Sequence, residues 1–322
     1  MATTTACGAC GAGIAAGDLF CEACGQPLTA PVTCPGCAST APFVDGYCGV
    51  CGRKEPAPRN HLELELPDVP VAGVTDKGVR HHRNEDAMAV VAVEGALVAV
   101  VCDGVSTTVR PDEASQLAVD SAAAVLAATP PSTGTAPPHL AAYDAARAAV
   151  LTVDATPAPD LGPPSCTYLA AVATNARISL AHLGDCRAYW RPAGGEVRQL
   201  TVDDSWATQE VAAGRMPASE AYADVRAHSI TAWLGADADP AWTPALVQVD
   251  VAPEGGRLLL VSDGLWNYTP TTGDVDALLD AGDAAPLATA RRLVDHANAS
   301  GGADNITVVV VDLPLHPPKG TA

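Results

Sequence analysis

Apolar runs that end in a bare carboxylate constrain this chain more than any other feature. The runs Leu97-Val98-Ala99-Val100-Val101-Cys102, Ile178-Ser179-Leu180-Ala181-His182-Leu183 and Leu258-Leu259-Leu260-Val261-Ser262 read as strands buried on both faces. Asp103 and Asp263 follow the first and third directly, and Asp185 follows the second after one glycine. Asp86 and Asp304 stand just ahead of two more such runs, at 87–93 and 305–312. Burying a charge is costly unless it is paired or coordinates a metal. Five acids at strand mouths are therefore expected to converge on one hard-cation site, for which oxygen ligands are the right chemistry.

The remaining pattern is one of strand runs separated by pairs of helices. Strands are expected at 70–75, 87–93, 96–102, 167–174, 177–183, 186–191, 246–251, 257–262 and 305–312, and helices at 112–128, 138–153, 204–213 and 284–299. Two-residue connections such as Glu94-Gly95 and Asn175-Ala176 favour hairpins. Runs of strands followed by helix pairs imply an α+β layered domain, not a doubly wound parallel sheet.

Composition bounds the partners. The 322 residues allow one large domain and a small one. A formal charge of −19 argues against nucleic acid and against anionic membrane surfaces. No uninterrupted apolar stretch approaches the roughly 20 residues of a membrane span. Residues 1–5 offer neither a basic start nor an apolar segment, so no signal peptide is expected and the protein is expected to be cytoplasmic.

Eight of the eleven cysteines lie in the first 51 residues, as Cys7/Cys10, Cys21/Cys24, Cys34/Cys37 and Cys48/Cys51. A two-residue gap lets both sulfurs of a knuckle face one ion, and two knuckles complete a tetrahedral thiolate shell. Gly11, Gly25 and Gly52 supply the turn after three of the pairs. So short a segment, poor in large apolar side chains, cannot stabilise itself by burial. Structural zinc, at about 10–16 kcal/mol per site, can. Two Zn2+ ions are expected, with all eight thiolates used. Pairing of knuckles in sequence gives tandem ribbons and is favoured by the repeated spacing, while pairing of alternate knuckles gives a cross-brace. The module resembles the double zinc ribbons attached to bacterial regulatory proteins.

The acids sit within recognisable words: Arg83-Asn84-Glu85-Asp86-Ala87, Val101-Cys102-Asp103-Gly104-Val105, Gly184-Asp185-Cys186-Arg187-Ala188, Val261-Ser262-Asp263-Gly264-Leu265-Trp266 and Ala303-Asp304-Asn305-Ile306-Thr307. In this order they resemble the motifs of the metal-dependent serine/threonine protein phosphatases, the type 2C or PPM family. The resemblance covers about residues 70–313 and implies a four-layer αββα sandwich, two antiparallel sheets flanked by helices. It also implies a division of the chain into a double zinc ribbon (1–55), a linker (56–68), the phosphatase domain (69–314) and a tail (315–322). The alternating segment Leu62-Glu63-Leu64-Glu65-Leu66 within that linker reads equally as an edge strand.

Carried over by motif, the resemblance implies that Asp103 bridges two Mn2+ or Mg2+ ions, with the Gly104 carbonyl on one. Asp263 and Asp304 would hold the other ion, Glu85 and Asp86 would act directly or through water, and Asp185 with Asp263 would hold a third, weaker ion. A metal-bridging water would attack phosphorus in line, without a phosphoenzyme. The substrate implied is a phosphorylated protein, with the ribbons available for targeting, for regulation or for a protein partner.

Three positions depart from the family pattern. The phosphate-gripping arginine three residues before the motif asparagine is here His81, flanked by Arg80 and Arg83; Arg80 is the first candidate for that role and His81 the second. No histidine follows Asp103-Gly104, and Cys186 stands where a serine is usual, as a small buried residue. The altered grip leaves a second reading, a weakly active phosphatase-like scaffold that binds a signalling partner through its ribbons. A small-molecule phosphohydrolase would share the metals. Residues 206–227 fall where the family carries a flap beside the site.

Overall fold

The computed structural model describes residues 5–6, 10–14, 23–24, 37–40, 43–44, 47–52, 58–129, 138–156, 158–281 and 285–315. The chain forms two compact units, Met1–Pro58 and Arg59–Ala322. The first contributes two short antiparallel pairs, β1 (Thr5–Ala6) with β2 (Gly13–Ile14) and β3 (Phe43–Val44) with β4 (Tyr47–Cys48). Gly11 and Gly52, at φ of 74° and 71°, occupy the left-handed region that a turn after each knuckle requires.

The second unit runs β5 (His61–Glu65), β6 (Val71–Asp76), β7 (Ala87–Val93), β8 (Ala96–Cys102), α1 (Pro111–Ala128), α2 (His139–Val150), β9 (Ser165–Cys166), β10 (Tyr168–Ala173), β11 (Arg177–Leu183), β12 (Arg187–Pro192) and β13 (Arg198–Gln199). It continues with α3 (Trp206–Ala212), α4 (Ala218–Ala221), β14 (Leu234–Gly235), β15 (Ala245–Asp250), β16 (Gly256–Val261), α5 (Asp263–Trp266), α6 (Thr272–Asp280), α7 (Pro286–Ala299) and β17 (Ile306–Leu313). One sheet has the order β15-β11-β10-β8-β7 and the other β13-β12-β16-β17-β6-β5, with every pairing antiparallel.

Period-two alternation explains the layering. Along β8, Val98, Val100 and Cys102 pack under α1 and α2, whereas Leu97, Ala99 and Val101 point into the space between the sheets. Leu258 and Leu260 of β16 meet them there, while Leu259 and Val261 face α7 through Leu293 and Val294. β8, and β16 from Leu258 to Val261, are therefore apolar on both faces. Helix α1 buries Ala114, Ala118 and Ala122 on one stripe, and their small side chains let it lie close to Ala142 and Ala146 of α2. The result is the αββα sandwich.

The alternating segment after the first unit forms β5, the edge strand beside β6, so the sheet begins at His61 and not near residue 69. Helices α4, α5 and α6 were not expected from the sequence. The third was legible: Thr271 and Asp274 form a reciprocal capping box at its start. Among the described residues no helix is long and apolar enough to cross a membrane.

Candidate metal centre

Antiparallel register brings the acids together. Ala87 pairs with Cys102, Arg187 with Val261, Val261 with Val308, and Ile306 with Asp76. The start of one strand is thus the finish of its neighbour, and Asp86, Asp103, Asp185, Asp263 and Asp304 all lie at the same end of the sandwich. Asp103, Asp185, Asp263 and Asp304 line one cleft of about 140 Å3, together with Gly104 and His228.

Backbone geometry seats the acids. A Cβ on Gly104 would lie 2.6 Å from the Pro111 carbonyl oxygen and 2.7 Å from that of Glu85, so only glycine lets the chain pass there. Gly184, at φ 100°, turns the chain from β11 of one sheet into β12 of the other and leaves Asp185 at the corner. The Thr167 hydroxyl accepts from the Asp103 N–H at 2.9 Å, and Trp266 Nε1–H donates to the Asp185 carbonyl at 2.9 Å.

Electrostatically the cluster is crowded. Asp86 is buried; its Oδ2 accepts from the Ser262 and Thr307 hydroxyls, each at 2.7 Å, and its Oδ1 has no partner. Burial pushes its pKa up to about 6 despite these hydroxyls. Asp185 rises to about 7, from burial first and the Asp203 charge second. Asp103 and Asp263 are held well above the usual carboxylate range by burial and by the other acids. Asp263 Oδ1 is also buried without a partner. Asp304 is raised by burial, partly offset by the Asn305 N–H and by His81. Acids that crowd together, keep protons and leave oxygens unpartnered fit a pair of hard divalent cations, which would replace the protons and satisfy the oxygens.

Glu85 is turned elsewhere: its carboxylate accepts from Arg83 Nε at 2.8 Å and from the Ser106 hydroxyl at 2.5 Å. It does not line the cleft, and neither does Asp86. Both candidates for the phosphate grip, Arg80 and His81, stand just ahead of the first motif. Arg80 is exposed, and no hydrogen bond or ion pair holds its guanidinium among the described residues. His81 Nε2 lies 3.2 Å from Asp304 Oδ1.

Several positioning residues escaped the sequence reading. Asn305 accepts from the Glu85 N–H at 2.7 Å and donates to the Lys77 and Arg83 carbonyls, so it ties the last strand to the first motif. Asn84 donates to the Thr75 hydroxyl and to the Arg59 carbonyl. Arg59 donates to the Asn84 and Asp86 carbonyls and to Gln116 and Ser115. Nothing in a local sequence pattern announces an arginine whose partners are distant backbone carbonyls. His228 in the cleft was also missed as a site residue. Cys102, Cys166 and Cys186 are buried, and burial pushes the thiols of Cys102 and Cys186 up, so neither is a ready nucleophile. His182 is a core histidine of β11.

In the first unit the sulfurs of Cys37, Cys48 and Cys51 lie within 4.8 Å of one another. This joins the third knuckle to the fourth, as pairing in sequence requires. Cys10 and Cys24 are exposed, and Cys7, Cys21 and Cys34 lie outside the described residues.

Comparisons with known proteins agree with this geometry. The protein phosphatase 2C family matches residues 77–295, and the double zinc ribbon family matches residues 7–52. The chain is similar to the serine/threonine protein phosphatase PstP of Mycobacterium tuberculosis, 31% identical over 244 residues, or 75% of this chain and 44% of PstP. It thus spans less than half the length of that relative. A crystal structure of the PstP catalytic domain in complex with two manganese ions is 30% identical, covering 76% of this chain and 97% of that one, with a TM-score of 0.62. The phosphatase MsPP of Mycobacterium smegmatis, in complex with cacodylate, is 30% identical over 76% of this chain and 97% of that one, with a TM-score of 0.61.

Proposed function

The chain belongs to the protein phosphatase 2C family, and from that premise we propose that it hydrolyses phosphoserine and phosphothreonine in proteins. The observation that carries the reading is the single cleft lined by Asp103, Asp185, Asp263 and Asp304, acids from four different strand ends. Asp103, Asp263, Asp304 and the Gly104 carbonyl would hold two Mn2+ or Mg2+ ions, with Asp185 available to a third and with Glu85 and Asp86 at the margin. When bound, such ions supply Lewis acidity to water and to the phosphoryl oxygens.

The chain's own residues set the geometry. Ser262 and Thr307 fix the Asp86 carboxylate from the sheet side, so that its unpartnered oxygen is presented without a rotamer search. Asn305 holds the backbone of the first motif against β17, which keeps Glu85, Asp86 and Asp304 in one frame. Exposed Arg80, and His81 beside Asp304, are the two candidates to grip a phosphate oxygen. Four cysteines per ion in the amino-terminal unit leave no open position for chemistry, so its assigned task is targeting or regulation in a cytoplasmic setting.

The test is Mn2+-dependent hydrolysis of a phosphothreonine peptide. Wild type is expected to turn over, EDTA to abolish activity reversibly, and Asp103→Asn and Asp263→Asn each to cost at least about 10²–10³-fold in kcat. Activity indifferent to EDTA and to both substitutions would overturn the reading.

A further inference from the structure

His228 lines two clefts. One is the carboxylate cleft. The other, of about 430 Å3, is larger and is floored by Arg187, Asp203 and Trp266 and walled by Val202 and Tyr222. The two share the His228 imidazole in their linings, so a chain whose phosphate enters the first can lay a nearby side chain in the second. Successive residues of an extended peptide advance about 3.3 Å, which sets the reach at one or two positions.

The floor carries charges that cancel. Arg187 donates through Nε and Nη2 to the Asp203 carboxylate, the shortest contact being 2.6 Å, and both side chains are buried. Its guanidinium carbon lies 3.8 Å from the centre of the Trp266 ring, and the His228 ring sits 5.2 Å from that ring. Burial first and the Arg187 charge second lower the His228 pKa, with Asp203 acting the other way. Above this floor, Val202 and Tyr222 are 65% and 48% exposed, large apolar surface that an occupant would cover. Gln199, Thr208 and Asn267 also line the cleft, but the charged side chains of its lining, Arg187 and Asp203, pair with each other, so a charged occupant would lose water and gain no ion pair.

We propose that the larger cleft receives an uncharged, apolar side chain one or two positions from the phosphorylated residue of a protein substrate. The inference rests on the phosphatase reading and adds to it a rule of selection. It also runs against the chain's net charge of −19, which by long-range attraction alone would favour basic peptides.

The experiment uses the full chain with Mn2+ and phosphothreonine peptides that carry Leu, Phe, Asp or Lys at each of the two positions on either side. At one position, Leu or Phe is expected to exceed Asp and Lys by at least about tenfold in kcat/KM. In Tyr222→Ala and Val202→Asp that ratio falls towards one, while Tyr222→Phe keeps it. A ratio is insensitive to a uniform loss of activity or of folded protein. A flat profile at every position, or a preference that survives both disruptive variants, overturns the subsite. If wild type hydrolyses p-nitrophenyl phosphate but shows no peptide preference, only the subsite falls. If it hydrolyses neither, the phosphatase reading falls and the subsite with it.

Discussion

The thiolate cluster of the first unit and the carboxylate cluster of the second are built in opposite orders. Cys37, Cys48 and Cys51 meet within fifteen residues of chain, in a segment whose described strands are two residues long. The acids of the second unit are drawn from positions 86 to 304 and are placed by a sandwich whose interior is packed on both sides of each sheet. In the first case a metal would stand in for a core. In the second the core comes first and imposes repulsion on the acids, which a metal would relieve. Soft ligands that make a fold and hard ligands that oppose one are the same chemistry used for different ends.

The largest expected effect separates the two by metal content. Cys37→Ser with Cys48→Ser should remove about one zinc per chain, a site worth on the order of 10 kcal/mol, whereas Asp103→Asn should remove none. Elemental analysis of the purified variants checks this, and zinc lost from Asp103→Asn would break the comparison.

A smaller effect concerns pH in the chelated protein. Asp86 and Asp185 have folded pKa values of about 6 and about 7, against about 3.9 for an unfolded aspartate. The folded state therefore binds protons more tightly, and these groups favour folding below the unfolded value and lose that contribution as pH rises through 6 to 7. The melting temperature of the second unit without divalent ions should fall between pH 5 and pH 8, by on the order of a few kcal/mol in stability, and Mn2+ should flatten the slope. Calorimetry showing stability that rises over this window would refute the account. Thiolate ligation runs the other way, because acid protonates the sulfurs and weakens zinc.

The smallest effect sharpens the contrast by leaving both clusters alone. Thr271→Ala removes the cap of α6 and should cost about 1 kcal/mol, while the stabilisation gained from Mn2+ stays the same. A changed response to Mn2+ would mean that α6 is not the passive helix its packing describes.

Most of this was legible along the chain where one rule dominates. Strands β7, β8 and β11 fall on the expected residues because continuous apolar runs bounded by turns leave little alternative. Helix α5 was hidden because Asp263-Gly264 reads as a turn, yet its first helical turn is what carries Asp263. The acids were visible as acids, but Arg59, Asn84 and Asn305 act through backbone groups far away in sequence. His228 looked like one member of a weak motif, and its segment is held by the Ser205–Ile230 bridge and by backbone hydrogen bonds from Trp206 to Ser229 and from Thr231 to Asp204.

Strand β17 comes last among the described strands yet lies in the interior of its sheet, between β16 and β6. A growing chain that has not yet produced residues 306–313 leaves both neighbours with open edges, and Asn305 has not arrived to tie down the first motif. Folding of the second unit must wait for contacts separated by more than two hundred residues, which makes it slow and leaves its edges open to misassociation in the meantime. Arrival of β17 closes the sheet and brings Asp304 and Asn305 to the acid cluster in the same step.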